Sequence, residues 1–361
     1  MQEAHFYDRL DHEQVQCHLC PHQCLIAAGK RGICAVRYNS GGRLYTLVAD
    51  RIIARHLDPI EKKPLFHVYP GSGIYSLATI GCNLRCRFCQ NWEISQWSHE
   101  HLPNRIEGDE RHSPVCPQLA DLGEQIPGEP VTPEGIVCAA LASGARSIAY
   151  TYTEPTIFYE LAHETAVLAR AQGLLNVFVT NGYINEAPQR ELAGVLDAAN
   201  VDLKFFRDAT YRRMSGARLQ PVLDAIARYH ELGVWIEITT LVIPGVNDSE
   251  EELKEIACFI HSLSPEIPWH VSRFHGDYQM QDVPSPQSSI LRHALEIGRE
   301  AGLRYVYVGN LPGIGGEDTY CPGCGARLIH RYGFRLLENR IRHGGCPECG
   351  SRIAGLGLDG V

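Results

Sequence analysis

Three cysteines fall within eight positions in the stretch GCNLRCRFC, residues 81–89: Cys82, Cys86 and Cys89. Thiolates are soft ligands suited to zinc or to iron–sulfur clusters. A zinc site built on these three needs a fourth ligand from elsewhere. A [4Fe–4S] cluster held by three cysteines leaves one iron with open coordination, where a small molecule can bind and be reduced.

The elements around this stretch say where it sits. A β-rich run, IYSLATI (74–80), leads directly into it. Six more runs follow: SIAYT (147–151), NVFVT (176–180), NVDL (200–203), WIEITTLV (235–242), HVSR (270–273) and YVYV (305–308). Helical patterns separate most of them. In IFYELAHETAVLARAQG, Phe158, Leu161, Ala162 and Leu168 recur near helical spacing, and Gly173 is placed to end the helix. Thr132–Pro133 opens another helix, and Asp248 with Glu251 reads as a capping box before a third. Repeated strand–helix units predict an α/β fold with a parallel sheet, open or closed as a barrel. Residues 95–132 break the rhythm with Gly, Pro, His and charge, and read as an inserted loop able to act as a lid.

In such a sheet, ligands bind at the carboxyl ends of the strands. Successive strand ends here carry GCNLRCRFC, Tyr152-Thr153-Glu154-Pro155, Thr180-Asn181-Gly182, Asp202-Leu203-Lys204 and Arg273-Phe274-His275. The convergence of polar and ionisable side chains on one rim predicts a site there.

The spacing C-x3-C-x2-C, with Phe88 just before the last cysteine and a strand before the first, resembles the signature of the radical S-adenosylmethionine (SAM) superfamily. The resemblance covers about residues 74–312 and implies a partial (β/α)6-type barrel. It further implies a [4Fe–4S] cluster whose open iron is chelated by the amino and carboxylate groups of SAM. Reductive cleavage there yields methionine and a 5′-deoxyadenosyl radical that abstracts hydrogen. Carried over residue by residue, Thr153-Glu154-Pro155 resembles the segment that grips the SAM amino group, although Tyr152 and Thr153 stand where two glycines are usual. Asn181, Asp202 and Lys204 resemble SAM-binding positions of glycyl-radical-enzyme activating enzymes, and His275 a histidine near the adenine. Val179 replaces an Asp that helps bind a monovalent cation in those activases, so that cation site is not expected. The flanks DPIEKKPLFHVYPGS, QNWEISQ and VTNGYI narrow the likeness to the radical SAM member of the AmmeMemoRadiSam system. This implies a ferredoxin or flavodoxin electron donor, and either a protein substrate or a Memo-like or AMMECR-type partner.

Two four-cysteine groups flank this region. Cys321 and Cys324 in CPGCG, with Cys346 and Cys349 in CPECG, form two knuckles that predict a structural zinc ribbon, with a rubredoxin-like iron site as the alternative. Cys17, Cys20, Cys24 and Cys34 supply four more thiolates, for zinc or for a second iron–sulfur cluster, with zinc favoured. His18 and His22 are substitute ligands. Cys138 and Cys258 read as small core residues, and Cys116 as part of a solvated loop.

These groups divide the chain of 361 residues into a Cys-rich extension (1–72), a core (73–312) and a C-terminal module (313–361). Fourteen cysteines in tight groups suit metal chemistry in a reducing compartment better than disulfides. The absence of a secretory h-region or a spanning apolar run predicts a cytoplasmic protein, with no membrane partner. A net charge of −9 argues against nucleic acid as the main partner, which weakens an RNA-modifying alternative. A metal-stapled electron carrier or scaffold without catalysis is the other alternative, and it leaves the rim motifs unexplained.

Overall fold

The computed structural model describes residues 1–102, 125–311, 313 and 315–359. Its centre is one eight-stranded sheet. The strands are β1 (Ala54–Pro59), β2 (Gly73–Ala78), β3 (Ser147–Tyr150), β4 (Leu175–Thr180), β5 (Ala198–Asp202), β6 (Trp235–Val242), β7 (Trp269–Arg273) and β8 (Val306–Gly309). Their order in space follows their order in sequence. Strands β2 to β8 are parallel, and β1 runs antiparallel along β2. Among the described residues no ladder joins β8 back to β1, so the sheet is an open, partial barrel.

All seven β-rich runs are strands, and the parallel set holds one strand more than a six-unit barrel. The seventh, β8, has a reason to be there. Its alternation sends Val306 and Val308 into the main core, while Tyr305 just before it and Tyr307 pack against the C-terminal module.

The helices follow their sequence signals with one correction. Thr132 caps Pro133–Ala142, its Oγ1 accepting from Gly135 N at 3.1 Å. Gly173 lies just past Tyr159–Ala171 at φ +77°, which a side chain would resist. For Glu250–Leu263, however, the cap is Ser249, which accepts from Glu252 N, not Asp248 with Glu251. Asp248 instead accepts from Gly245 N in the preceding turn. Cys138 and Cys258 are a second correction, because both are exposed. In Pro133–Ala142 the buried positions are Ile136, Val137 and Ala140, which leaves Cys138 on the solvent side.

The insert begins as ordered helix, Trp92–Ser95 then Trp97–His101, rather than loop. Residues 103–124 of the expected lid, Cys116 among them, lie outside the described residues. The N-terminal region forms two small antiparallel sheets, fixed to the barrel by a fully buried ion pair. Arg37 Nη2 lies 2.5 Å from Glu160 Oε1, and both side chains are at most 1% exposed. Arg37 Nη1 also donates to His5 O, while His5 N donates to Glu160.

Residues 58–73, rich in Pro, Gly and charge, are a largely buried strap. Arg331, from the C-terminal module, donates to Phe66 O at 2.7 Å, and His67 Nδ1 lies 2.6 Å from Ala354 O. His67 Nε2 meets Tyr307 OH at 2.6 Å. Its charge and proline concealed the strap's role, because Phe66 and His67 find their partners far away in sequence. No helix among the described residues is long and apolar enough to cross a membrane.

Candidate functional site

The loop after β2 holds the three cysteines. It enters through Gly81 at φ +94°, where a Cβ would sit 2.7 Å from Val36 Cγ1, so only glycine fits. The three sulphurs lie among hydrogen-bonding groups: Leu84 N is 3.4 Å from Cys82 Sγ, Ser215 Oγ 3.4 Å from Cys86 Sγ, and Ser95 Oγ 3.2 Å from Cys89 Sγ. Burial pushes all three thiols up, that of Cys86 to about 11, with nearby Lys204 opposing the rise. A thiolate ligand set here would draw its stabilisation from a bound positive centre.

Glu154 follows β3 and is 2% exposed. Oε1 accepts three hydrogen bonds, from Thr156 N (3.0 Å), Thr156 Oγ1 (2.6 Å) and Thr180 Oγ1 (2.8 Å). Oε2 accepts one, from Asn181 N at 2.8 Å. Burial raises the carboxyl against these donors. One oxygen is saturated and the other keeps a free lone pair, which suits an ammonium or N–H donor in the cavity. Tyr152 stands where the resembling motif has glycine, and it adopts φ +61°, the backbone that glycine would supply. Its hydroxyl donates to Asp58 Oδ2 at 2.5 Å, and Lys63 Nζ lies 4.2 Å from its ring centroid.

After β4, Asn181 Nδ2 donates to Asn83 Oδ1 at 2.9 Å and lies 3.9 Å from Cys82 Sγ. At the end of β5, Lys204 Nζ meets Asp202 Oδ2 at 2.5 Å. Burial would lower the lysine, but Asp202 and Cys86 outweigh it and keep the ammonium charged.

Cys82, Cys86, Cys89, Thr153, Glu154, Asn181, Asp202 and Lys204 all line one cavity of about 450 Å³. This is a small-molecule volume. His275 is not among the lining residues; it is exposed, with Nε2 2.8 Å from Gln90 Nε2, and Gln90 does line the cavity.

The cavity also has polar lining residues that the rim motifs did not reveal. Lys63, Thr239, His270 and Ser272 line it, together with Glu317 and Phe334 from the C-terminal module. Burial lowers Lys63 to about 8, with Asp58 at 2.7 Å resisting the fall. His270 Nε2 lies 2.6 Å from the buried Glu237, whose two oxygens also accept from the backbone N–H groups of Phe66 and His67. A signal for these residues existed. Thr239 and Leu241, then His270 and Ser272, alternate as inward-facing positions of β6 and β7.

The C-terminal knuckles converge. Cys321 and Cys349 sulphurs are 3.6 Å apart, Cys324 and Cys346 are 3.7 Å apart, and all four lie within 4.8 Å of one another. Tetrahedral bonds of about 2.3 Å give an edge of about 3.8 Å, so the quartet has the shape for one ion. Gly325 and Gly350 end the two knuckles at the same φ of +74°. Cys17, Cys20, Cys24 and Cys34 line a separate small cavity with His22.

The profile of the Radical SAM superfamily matches residues 77–257. An uncharacterized protein of Methanocaldococcus jannaschii is 42% identical over 98% of this chain and 99% of its own. A pyruvate formate-lyase-activating enzyme of Staphylococcus epidermidis is 24% identical, covering 66% of this chain and 93% of its own. Among solved structures, a radical SAM methyltransferase from Sphaerobacter thermophilus aligns with 16% identity and a TM-score of 0.47, over 67% of this chain and 68% of that one.

Proposed function

This chain belongs to the radical SAM superfamily, and on that footing we propose that it cleaves SAM at the Cys82, Cys86 and Cys89 site to abstract a hydrogen atom from a substrate. The observation that carries this reading is the placement of three half-buried cysteines on the same cavity as the Glu154 carboxylate, one oxygen of which keeps a free lone pair. Cys82, Cys86 and Cys89 would hold a [4Fe–4S] cluster, which together with SAM would supply one-electron reductive radical chemistry. The protein's own residues orient and exclude. Glu154 offers Oε2 to the amino group, Asn181 ties the loop after β4 to the cysteine loop, and the Asp202–Lys204 pair presents both signs of charge to carboxylate and ribose oxygens.

We place the substrate beside Lys63 and His270. Lys63, charged below pH of about 8, and the His270–Glu237 pair suit a polar or anionic group and can hold or move a proton there. A cavity of about 450 Å³ favours a small polar molecule or one polar side chain over a flat protein surface. Activating-enzyme relatives support a protein substrate as the second reading. Zinc in the C-terminal quartet, a ferredoxin or flavodoxin donor, and the narrower AmmeMemoRadiSam assignment with its Memo-like partner complete the proposal.

The test is anaerobic reduction of the reconstituted protein with SAM. 5′-Deoxyadenosine should form, and should vanish in Cys82→Ala, Cys86→Ala and Cys89→Ala. Formation at the level of a cluster-free control would defeat the reading.

A further inference from the structure

Glu237 is fully buried in β6, and both of its oxygens are engaged. Oε1 accepts from His67 N at 2.8 Å and from Trp235 Nε1 at 3.3 Å. Oε2 accepts from Phe66 N at 3.0 Å and meets His270 Nε2 at 2.6 Å. Burial would raise this carboxyl, but the bond from His270 and the neighbouring donors outweigh it and hold it below its ordinary value. A carboxylate only accepts hydrogen bonds. In the neutral His270 ring the proton is therefore on Nε2, and Nδ1 carries a bare lone pair. The ring is held in place, stacked on Tyr307 with centroids 5.2 Å apart and edge-on to Phe66 at 4.8 Å.

His270 and Ser272 stand two apart on β7, share one side of the sheet and both line the cavity. Among the described residues neither His270 Nδ1 nor Ser272 Oγ has a hydrogen-bond partner, and neither atom is sealed from solvent. Space is kept clear for the serine. Its neighbour across the ladder on β8 is Gly309, where a Cβ would lie 2.6 Å from Ser272 Oγ. A lone pair and a hydroxyl thus lie on one stretch of cavity wall. The first only accepts, and the second can donate. An alcohol complements both, because its O–H donates to the one and its oxygen accepts from the other. A carboxylate would meet the Nδ1 lone pair with no proton between them.

We propose that His270 and Ser272 form a hydroxyl-binding subsite for the substrate, with Glu237 positioning His270, and that the substrate is a small hydroxylated molecule. Its place in catalysis rests on the function proposed above; the tautomer and the hydroxyl preference do not.

Long-range proton–nitrogen correlation spectra of the oxidised, full-length protein, labelled with ¹⁵N-histidine and held at pH 8, read the tautomer. The His270 signals, identified by their loss in His270→Gln, should show a proton on Nε2 and none on Nδ1; a proton on Nδ1 overturns the subsite. Glu237→Gln should move the Nε2 proton upfield, because its anionic acceptor is gone. An unmoved proton overturns the positioning role.

Calorimetric binding to the wild-type protein reads the ligand class without depending on how a variant folds. Glycolate against acetate, and L-serine against L-alanine, differ by one hydroxyl at matched charge. In at least one pair the hydroxylated member should bind about threefold more tightly or better, the size of one net hydrogen bond. Ser272→Ala should at least halve that preference. Equal affinities within both pairs overturn the hydroxyl assignment, and an unchanged preference in Ser272→Ala overturns the subsite. The preference should survive saturation with SAM; its loss would give the subsite to the SAM ribose and overturn the substrate assignment. A protein that binds no SAM overturns the function proposed above, while the pairs measured without SAM still decide the subsite.

Discussion

Glu154→Gln separates a carboxylate that binds SAM from one that merely ties loops together. Oε1 receives three donors and Oε2 one. Glutamine keeps three of these bonds by placing its single oxygen at the Oε1 position. Its NH2 then faces Asn181 N–H, donor against donor, and points a donor at any incoming ammonium. Two losses follow. The orphaned Asn181 N–H costs stability, about 1–3 kcal/mol. The missing charge-assisted bond to the SAM amino group costs affinity, about 1.5–3 kcal/mol, or about ten- to hundredfold in Kd. Equilibrium binding of SAM to the reduced, cluster-loaded variant measures the second loss, and a denaturant melt measures the first. A variant that is destabilised but binds SAM within twofold of wild type would show that Glu154 is structural only, and the assignment of the amino-group site would fail.

Other consequences are as direct. Glu160→Ala strands Arg37 in the core, where its Nη2 has lost its ion pair, and is expected to destabilise the fold by about 3–5 kcal/mol in urea melts. A loss below about 1 kcal/mol would mean that the N-terminal region is not docked through this pair. Chelation at the C-terminal quartet should remove one metal per chain and lower the melting temperature, because the module's small apolar cluster includes Cys321 and Cys346 themselves; an unchanged melt on complete metal loss speaks against a structural role. His67 is buried neutral, lowered from 6.5 to about 4 by burial, with Glu237 opposing the shift. The unfolded chain takes up that proton first as pH falls. Stability from this group is therefore complete above pH 6.5 and is lost towards pH 4, by about 3 kcal/mol. Urea melts at pH 7 and pH 5 should show it, with a shallower slope in His67→Gln; equal slopes would place the acid sensitivity elsewhere.

Local signals carried most of the architecture. Seven β-rich runs became the seven parallel strands because each is a short apolar segment between turn residues, and Thr132 and Gly173 capped where their chemistry requires. Rim positions were readable for the same reason: strand ends in a parallel sheet share one side, so Glu154, Asn181, Asp202 and Lys204 had to meet. Long-range pairing was not readable. Lys63 and Asp58 lie in a segment rich in proline and charge, and its burial depends on Arg331 and Ala354, more than 250 residues away. Nor could spacing show that the C-terminal four sulphurs lie within 4.8 Å of one another, since sequence gives ligand number and only coordinates give distances. Cys138 and Cys258 misled because an apolar neighbourhood in sequence does not reveal which side of a helix faces water.

The central claim is that three cysteines leave one iron open for SAM. Pulsed electron–nuclear double resonance on the reduced protein, with SAM labelled with ¹⁵N at its amino nitrogen, addresses that iron directly. A ¹⁵N hyperfine coupling that disappears in Cys82→Ala is the predicted result. A cluster present at full occupancy, with SAM bound and no ¹⁵N coupling, would contradict the account.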